Sequence, residues 1–328
     1  MTSEKPWLAV PSHVDGASVT GCPFHGGSRP ERRETTDDPS SPLSTAPEPA
    51  APVEVAGPVR TRWSTSLAKR GTVFFCHGFG LYAAKLEDLY RMLNGMGFDV
   101  VAHDARGHGR WSDEILTAYN MGDLADAMIA HYRDVASERP IVMGIGTFGG
   151  FLAAKIIEAC RHERERPVAV LYSVDYVPIP RWLLRRMQKP RLLRRLDRFE
   201  LRYAYHHLTN DREASRRFID DDPGARATLP LGVALTMAAV THRLYVPPVP
   251  SHERHAFVIG TRDRFSDLRA ARRCVRRQPG YAMFEVEGGP FLMHRDSPWV
   301  KRRFLEQLEA AFVHARPELA RCAEGRAA

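Results

Sequence analysis

The chain has 328 residues, 44% of them hydrophobic, with 47 Lys and Arg against 39 Asp and Glu. That is apolar material enough for one large folded domain and excludes a wholly disordered chain, while the net charge of +8 invites anionic partners or describes an arginine-rich, solvated surface. Five scattered cysteines exclude a disulfide scaffold, no apolar run is long enough to cross a bilayer, and MTSEKPWLAV lacks the basic-then-apolar order of a secretory signal, so a soluble cytoplasmic protein is expected.

Residues 1–51 are dominated by Pro, Ser, Thr, Asp and Glu, as in ETTDDPSSPLSTAPEPAAP. Such a segment buries too little apolar area to offset its chain entropy and is expected to be a disordered tail. Within it, GCPFHGG sets Cys22 three residues before His25. This is half of a metal site at most, and with no second pair at suitable spacing no metal is expected.

Regular structure starts at VEV and VRTRW, two short strands about an AGP turn. GTVFFCHGF reads as a buried strand. KLEDLYRMLNGMG reads as a helix with Leu86, Leu89, Tyr90 and Leu93 on one face, closed by Gly97. FDVVAHD is the next strand, with His103 packed at its end. GDLADAMIAHYRDVASE is a helix that turns Leu124, Met128, Tyr132 and Val135 inward. PIVMGIG is a strand that passes through a glycine-rich turn into the helix FLAAKIIEAC. PVAVLYSVD, HAFVIGTRD and YAMFEVEGG are strands, the last two separated by a helix around SDLRAARRCVRR. The closing helix, SPWVKRRFLEQLEAAF, takes Ser297 as N-cap and Pro298 as its first residue, with Val300, Phe304, Leu308 and Phe312 on one face. Residues 317–328 are left as a C-terminal tail.

Strands and helices that alternate in this way, with continuously apolar strands, imply an α/β fold: a mostly parallel sheet with helices on both faces and ligand sites at the carboxyl ends of the strands. The core takes residues 52–175 and 252–316. Residues 176–251 interrupt the alternation and read as a helical, basic insertion broken near Pro190. From Arg181 to Arg202 it carries nine Lys or Arg against Asp197 and Glu200, interleaved with Trp182, Leu192, Leu193, Leu196 and Phe199. Such a stretch either packs its apolar face on the core or rests on an anionic membrane surface. No nucleic-acid module is recognisable, and nucleic acid is not expected as a partner.

The motifs HGFG (77–80), DARGHGR (104–110), GIGTFGG (144–150), GTRD (260–263) and GGPFLMH (288–294) follow one another in an order and spacing that resemble the α/β-hydrolase fold from about Val53 to Ala315. The closest resemblance is to its lysophospholipase and monoacylglycerol-lipase branch, and DARGHGR is the most specific of the five. The resemblance implies a serine hydrolase of esters or lipids, with a Ser-His-acid triad under a helical cap, a small apolar or acyl ligand, and no cofactor. Carried over residue by residue, His77 and Gly78 form the oxyanion loop, with the N–H groups of Phe79 and Phe148 as donors. The nucleophile position falls on Thr147, with Ile145 in place of the pattern's first glycine and Gly149 at its last. Asp263 matches the acid, and the histidine's position falls on Pro290.

A hydroxyl attacks only as a base takes its proton, and the extra methyl of threonine restricts χ1 and crowds the turn. Pro290 accepts no proton. His294, four residues on, is the candidate replacement base, with a structural role as the alternative. Asp175 is an alternative acid or, preferably, a turn cap, and Cys76 reads as a buried cysteine. The expected function is a hydrolase-like protein that no longer runs the serine reaction and binds an acyl or apolar ligand. The alternatives are an ester hydrolase or acyltransferase that uses Thr147 with a non-standard base, and non-hydrolytic chemistry in the same pocket.

Overall fold

The computed structural model describes residues 53–55, 60–109, 116–163, 166–174, 182, 185–186, 189–202, 205–222, 225, 228–244 and 254–320. The predicted tail with Cys22 and His25, and Asp175, lie outside the described residues. The strands are β1 (Val53–Val55), β2 (Arg60–Trp63), β3 (Gly71–Cys76), β4 (Phe98–His103), β5 (Ile141–Ile145), β6 (Val168–Tyr172), β7 (Glu200–Arg202), β8 (Thr228–Pro230), β9 (His255–Gly260) and β10 (Tyr281–Val286). The α-helices are α1 (Glu87–Gly95), α2 (Met121–Arg133), α3 (Gly146–Cys160), α4 (Pro190–Leu196), α5 (Arg212–Asp220), α6 (Leu231–Leu244), α7 (Leu268–Arg277) and α8 (Pro298–Ala315).

One sheet has the order β1-β2-β4-β3-β5-β6-β9-β10. β1, β2 and β4 are joined antiparallel, and every later pair is parallel. The parallel strands are apolar along their length because both faces are covered, and alternate residues feed two separate cores. Phe74, Val101, Val142, Leu171 and Phe257 pack with α2 and α3. Val73, Phe75, Val100, Met143 and Tyr172 pack with α1 and α8. The helix faces read from the sequence are the buried ones: Leu86, Leu89, Tyr90 and Leu93 at α1, and Val300, Phe304, Leu308 and Phe312 on α8. Each such side chain contributes roughly 1.5–3 kcal/mol of burial. Ser297 caps α8 by accepting the Val300 N–H at 3.4 Å.

Three stretches differ from expectation. α3 starts at Gly146, straight off β5, rather than near Phe151. The insertion is not helical throughout: β7 and β8 form an antiparallel ribbon that pairs Leu201 with Leu229. The C-terminal tail begins inside the fold, for Leu319 is buried and its carbonyl accepts from Arg70 at 3.4 Å.

The insertion is fastened to the core. Val233, Met237 and Val240 of α6 join the core that holds α3. Asp222 receives Lys85 at 2.6 Å and the Tyr82 hydroxyl at 2.7 Å, and the Leu292 N–H donates to the Leu208 carbonyl at 2.7 Å. Among the described residues, no helix is long and apolar enough to cross a membrane.

Candidate active site

β3 and β4 are neighbours, so the loops that follow them meet at the carboxyl edge of the sheet. His77 joins the two. Its Nε2 accepts the Ala105 N–H at 2.9 Å, which assigns the ring proton to Nδ1, and Nδ1 donates to the Gly78 carbonyl at 2.8 Å. Burial, opposed in part by the Asp104 carboxylate, pushes its pKa below the ordinary histidine value. Asp104 Oδ1 accepts the Ala83 N–H at 2.7 Å. Around the buried His108 ring stand His77 at 5.1 Å, Phe79 at 5.1 Å and Phe148 at 4.9 Å. The residues predicted for the oxyanion side are thus brought together. Gly78 passes so close to β5 that an added Cβ would lie 3.3 Å from the Ile145 carbonyl. The Phe148 N–H belongs to the first turn of α3, where helical N–H groups lack intrahelical partners.

The strand-to-helix turn is sharp. Ile145 is extended (φ −110°, ψ 134°), and Gly146 reverses the chain with φ +65°. That left-handed geometry costs a residue with a Cβ about 1–2 kcal/mol, and glycine little. Close approach holds the turn in place. A Cβ on Gly144 would lie 2.5 Å from the Gly149 carbonyl oxygen, and one on Gly149 would overlap the Cys76 carbonyl. Thr147 comes one residue later, half-buried in the first helical turn. The strained position at the turn is Gly146.

A Cβ on Gly146 would sit 3.0 Å from Cζ of Phe291. In the loop after β10, the residue that faces the turn is therefore Phe291, one beyond Pro290. The Phe291 ring meets Phe265 edge-on at 5.1 Å, and its carbonyl accepts the Ser173 hydroxyl at 3.1 Å. Ser173 is wholly buried and holds φ +48°, an uncommon value for a residue with a side chain. The same side chain neighbours Asp263 and favours its charged form. Asp263 lies just past β9. Oδ1 accepts the N–H groups of Phe265 at 2.8 Å and Ser266 at 3.3 Å, and Oδ2 accepts the Ser266 hydroxyl at 2.8 Å. Burial raises the pKa of Asp263 against the pull of these bonds.

His294 is not at this edge of the site. It sits wholly buried in a short 3-10 turn, with Nδ1 3.0 Å from the Tyr172 hydroxyl and Nε2 3.8 Å from Asp88 Oδ1. Both partners belong to the α1 and α8 side of the sheet, so its nitrogens are directed there and not at Thr147. The expectation that His294 swings toward Thr147 does not match this geometry, because burial and the Tyr172 bond fix the ring. Cys76 is a buried free thiol whose pKa burial pushes up, so no thiolate forms there. Sequence reasoning missed Gly146, Phe291 and Ser173. The signals that mark them are backbone angles and a ring packed on a glycine, and residue type shows neither.

The family model for serine aminopeptidases of the S33 type matches residues 68–286. A bifunctional esterase/perhydrolase from Acinetobacter calcoaceticus is 31% identical over 106 residues, which span 32% of this chain and 37% of that relative. A monoacylglycerol lipase from Paleococcus ferrophilus superposes with a TM-score of 0.60 at 20% identity, covering 78% of this chain and 98% of that one. A soluble variant of monoglyceride lipase from Saccharomyces cerevisiae, solved with a substrate analogue, gives 0.61 at 15% identity, covering 79% and 93%. The chain belongs to the S33 serine aminopeptidase family of α/β-hydrolases, alongside esterases and lipases.

Proposed function

We propose that this protein keeps the hydrolase fold without running the serine-hydrolase reaction, and binds an acyl or other apolar ligand between the strand ends and the inserted cap. One observation carries the reading: the group that faces the turn from the β10 loop is the phenyl ring of Phe291, which takes no proton. The imidazole nearest in sequence, His294, is bonded through Nδ1 to Tyr172 and faces Asp88 with Nε2 at 3.8 Å. A hydroxyl such as that of Thr147 has no nucleophilic power at neutral pH unless a base removes its proton. The aromatic side chains at the site, Phe79, Phe148, Phe265 and Phe291, suit an acyl chain, and the esterase and lipase relatives point to the same ligand class.

The test is ester hydrolysis by the purified protein, using short and medium acyl p-nitrophenyl esters, with Thr147→Ala as the paired control. Equal traces in both proteins, together with a retained acyl molecule in native mass spectrometry, support the reading. Turnover that Thr147→Ala abolishes overturns it in favour of a hydrolase or acyltransferase built on Thr147.

The cap adds a location for ligand exchange, an anionic membrane surface. Among the described residues, the large apolar side chains left exposed are Leu67, Trp182, Phe199, Leu201 and Trp299, and three of these five fall in 182–201. Around them Arg185, Arg186, Lys189, Arg191, Arg195 and Arg198 are exposed, and α4 buries none of its residues. Exposed aromatic rings among arginines suit the headgroup region of an anionic bilayer.

A further inference from the structure

We infer that Gly146 and Phe291 stand at the nucleophile and base positions of a vacated acyl-transfer site whose acid seat, Asp263 with Ser173, is still built. This rests on the reading above and deepens it by naming which residues were exchanged. It moves both positions by one residue, from Thr147 to Gly146 and from Pro290 to Phe291.

Three observations carry it. In this fold the nucleophile sits on the strained turn between strand and helix. Gly146 is the residue there, with φ +65°, while Arg139 and Ser173 are the only non-glycine residues with positive φ among those described. Thr147 therefore lacks the backbone geometry that presents a nucleophile. Direction is the second observation. A side chain on Gly146 would leave the backbone toward Phe291, which lies 3.0 Å from the added Cβ at Cζ and 3.6 Å at Cε2. Whatever occupies 291 is what a nucleophile at 146 would meet. The third is the surroundings of Phe291. Its ring packs on Phe265, whose N–H is held by Asp263, and its carbonyl accepts the hydroxyl of Ser173, a side chain that also neighbours Asp263. The loop that carries position 291 thus lies beside the acid. A triad needs this order of neighbours, with nucleophile against base and base beside acid.

The chemistry of the exchange is explicit. With Gly146→Ser and Phe291→His in place, the new hydroxyl adds to an ester carbonyl and passes its proton to the new imidazole. The bond to the alcohol breaks as the alcohol takes that proton. Water then adds to the acyl-enzyme, gives a proton to the same imidazole, and the carboxylic acid leaves as the enzyme's oxygen takes the proton back. The sum is ester plus water to acid plus alcohol, with Asp263 orienting the imidazole throughout.

The experiment compares Gly146→Ser/Phe291→His with each single variant and with Thr147→Ser/Pro290→His. The readouts are labelling by a fluorophosphonate, followed by intact mass, and p-nitrophenyl acetate turnover. The expected result is one phosphonate adduct and at least about 100-fold more turnover in Gly146→Ser/Phe291→His than in either single variant, reversed by adding Asp263→Asn. Labelling of Thr147→Ser/Pro290→His instead, or none in a folded Gly146→Ser/Phe291→His protein, overturns the inference. If Gly146→Ser does not fold, Phe291→His alone decides by NMR. The new ring's titration must shift when Asp263→Asn is added, and an unchanged titration overturns the placement. Failure of the underlying reading is distinct, for it appears as Thr147-dependent turnover in the unaltered protein.

Discussion

The Tyr172 hydroxyl lies 3.0 Å from Nδ1 of His294, in a layer that water does not reach. Burial outweighs the pull of Asp88 on this ring, Arg295 and Lys301 push the same way, and its pKa falls from 6.5 to about 4. The unfolded chain protonates the same ring near the ordinary value. Between the two values the unfolded state binds more protons, so the contribution to stability is complete above about pH 6.5 and is lost as pH falls toward 4. At about 1.4 kcal/mol per unit, roughly 3 kcal/mol is involved. Urea unfolding at pH 7 and pH 4.5 should show this difference, and His294→Gln should remove most of it. An unchanged difference in the variant would assign the pH dependence to other groups.

His77 is predicted to be a structural staple. His77→Phe fills the volume but leaves the Ala105 N–H and the Gly78 carbonyl without the ring that now serves both. A buried polar group so stranded costs about 1–3 kcal/mol, so the variant should lose about 2–4 kcal/mol. Thermal unfolding reads this directly, and a Tm within a degree of the parent would show that the two loops are held by something else.

Gly149 should not tolerate a methyl, and a glycine elsewhere should. Gly149→Ala places a Cβ on the Cys76 carbonyl, which is backbone in the central strand β3 and cannot yield. A loss of 3 kcal/mol or more, on the order of severe overpacking, is expected. A Cβ on Gly122 of α2 meets nothing within 4 Å, so Gly122→Ala should be stabilising by about 0.5 kcal/mol. Denaturant midpoints of the two variants should move in opposite directions.

Binding to vesicles should depend on lipid charge. The protein should sediment with phosphatidylcholine vesicles that contain phosphatidylglycerol, less with phosphatidylcholine alone, and less again as salt is raised. Trp182→Ala and Phe199→Ala should each weaken binding about fivefold, the loss of about 1 kcal/mol of apolar contact. Equal binding to neutral and anionic vesicles would remove the membrane from the proposal.

Much of the fold was legible in the chain. Apolar strands, amphipathic helices and five ordered turns led to the α/β sheet, and residues such as Leu89 and Phe304 are buried as their spacing indicates. The turn was legible only to within one residue. GIGTFGG contains four glycines, and composition does not reveal which of them takes the left-handed turn. Placing the turn on Gly146 instead of Thr147 needs the close packing of Gly149 on Cys76, a contact between segments far apart in sequence. His294 was visible as an imidazole near the right strand, but the face of the sheet it joins depends on how its 3-10 turn rotates. The ribbon of β7 and β8 was hidden for a simpler reason: three-residue strands are too short to show alternation.

Asp263 serves the fold independently of any turnover at the site. Its carboxylate ties down Phe265 and Ser266, so its removal would loosen their loop whatever the chemistry. An acid so placed does mechanical work whatever the chemistry, and its presence in a sequence is correspondingly poor testimony that a reaction runs.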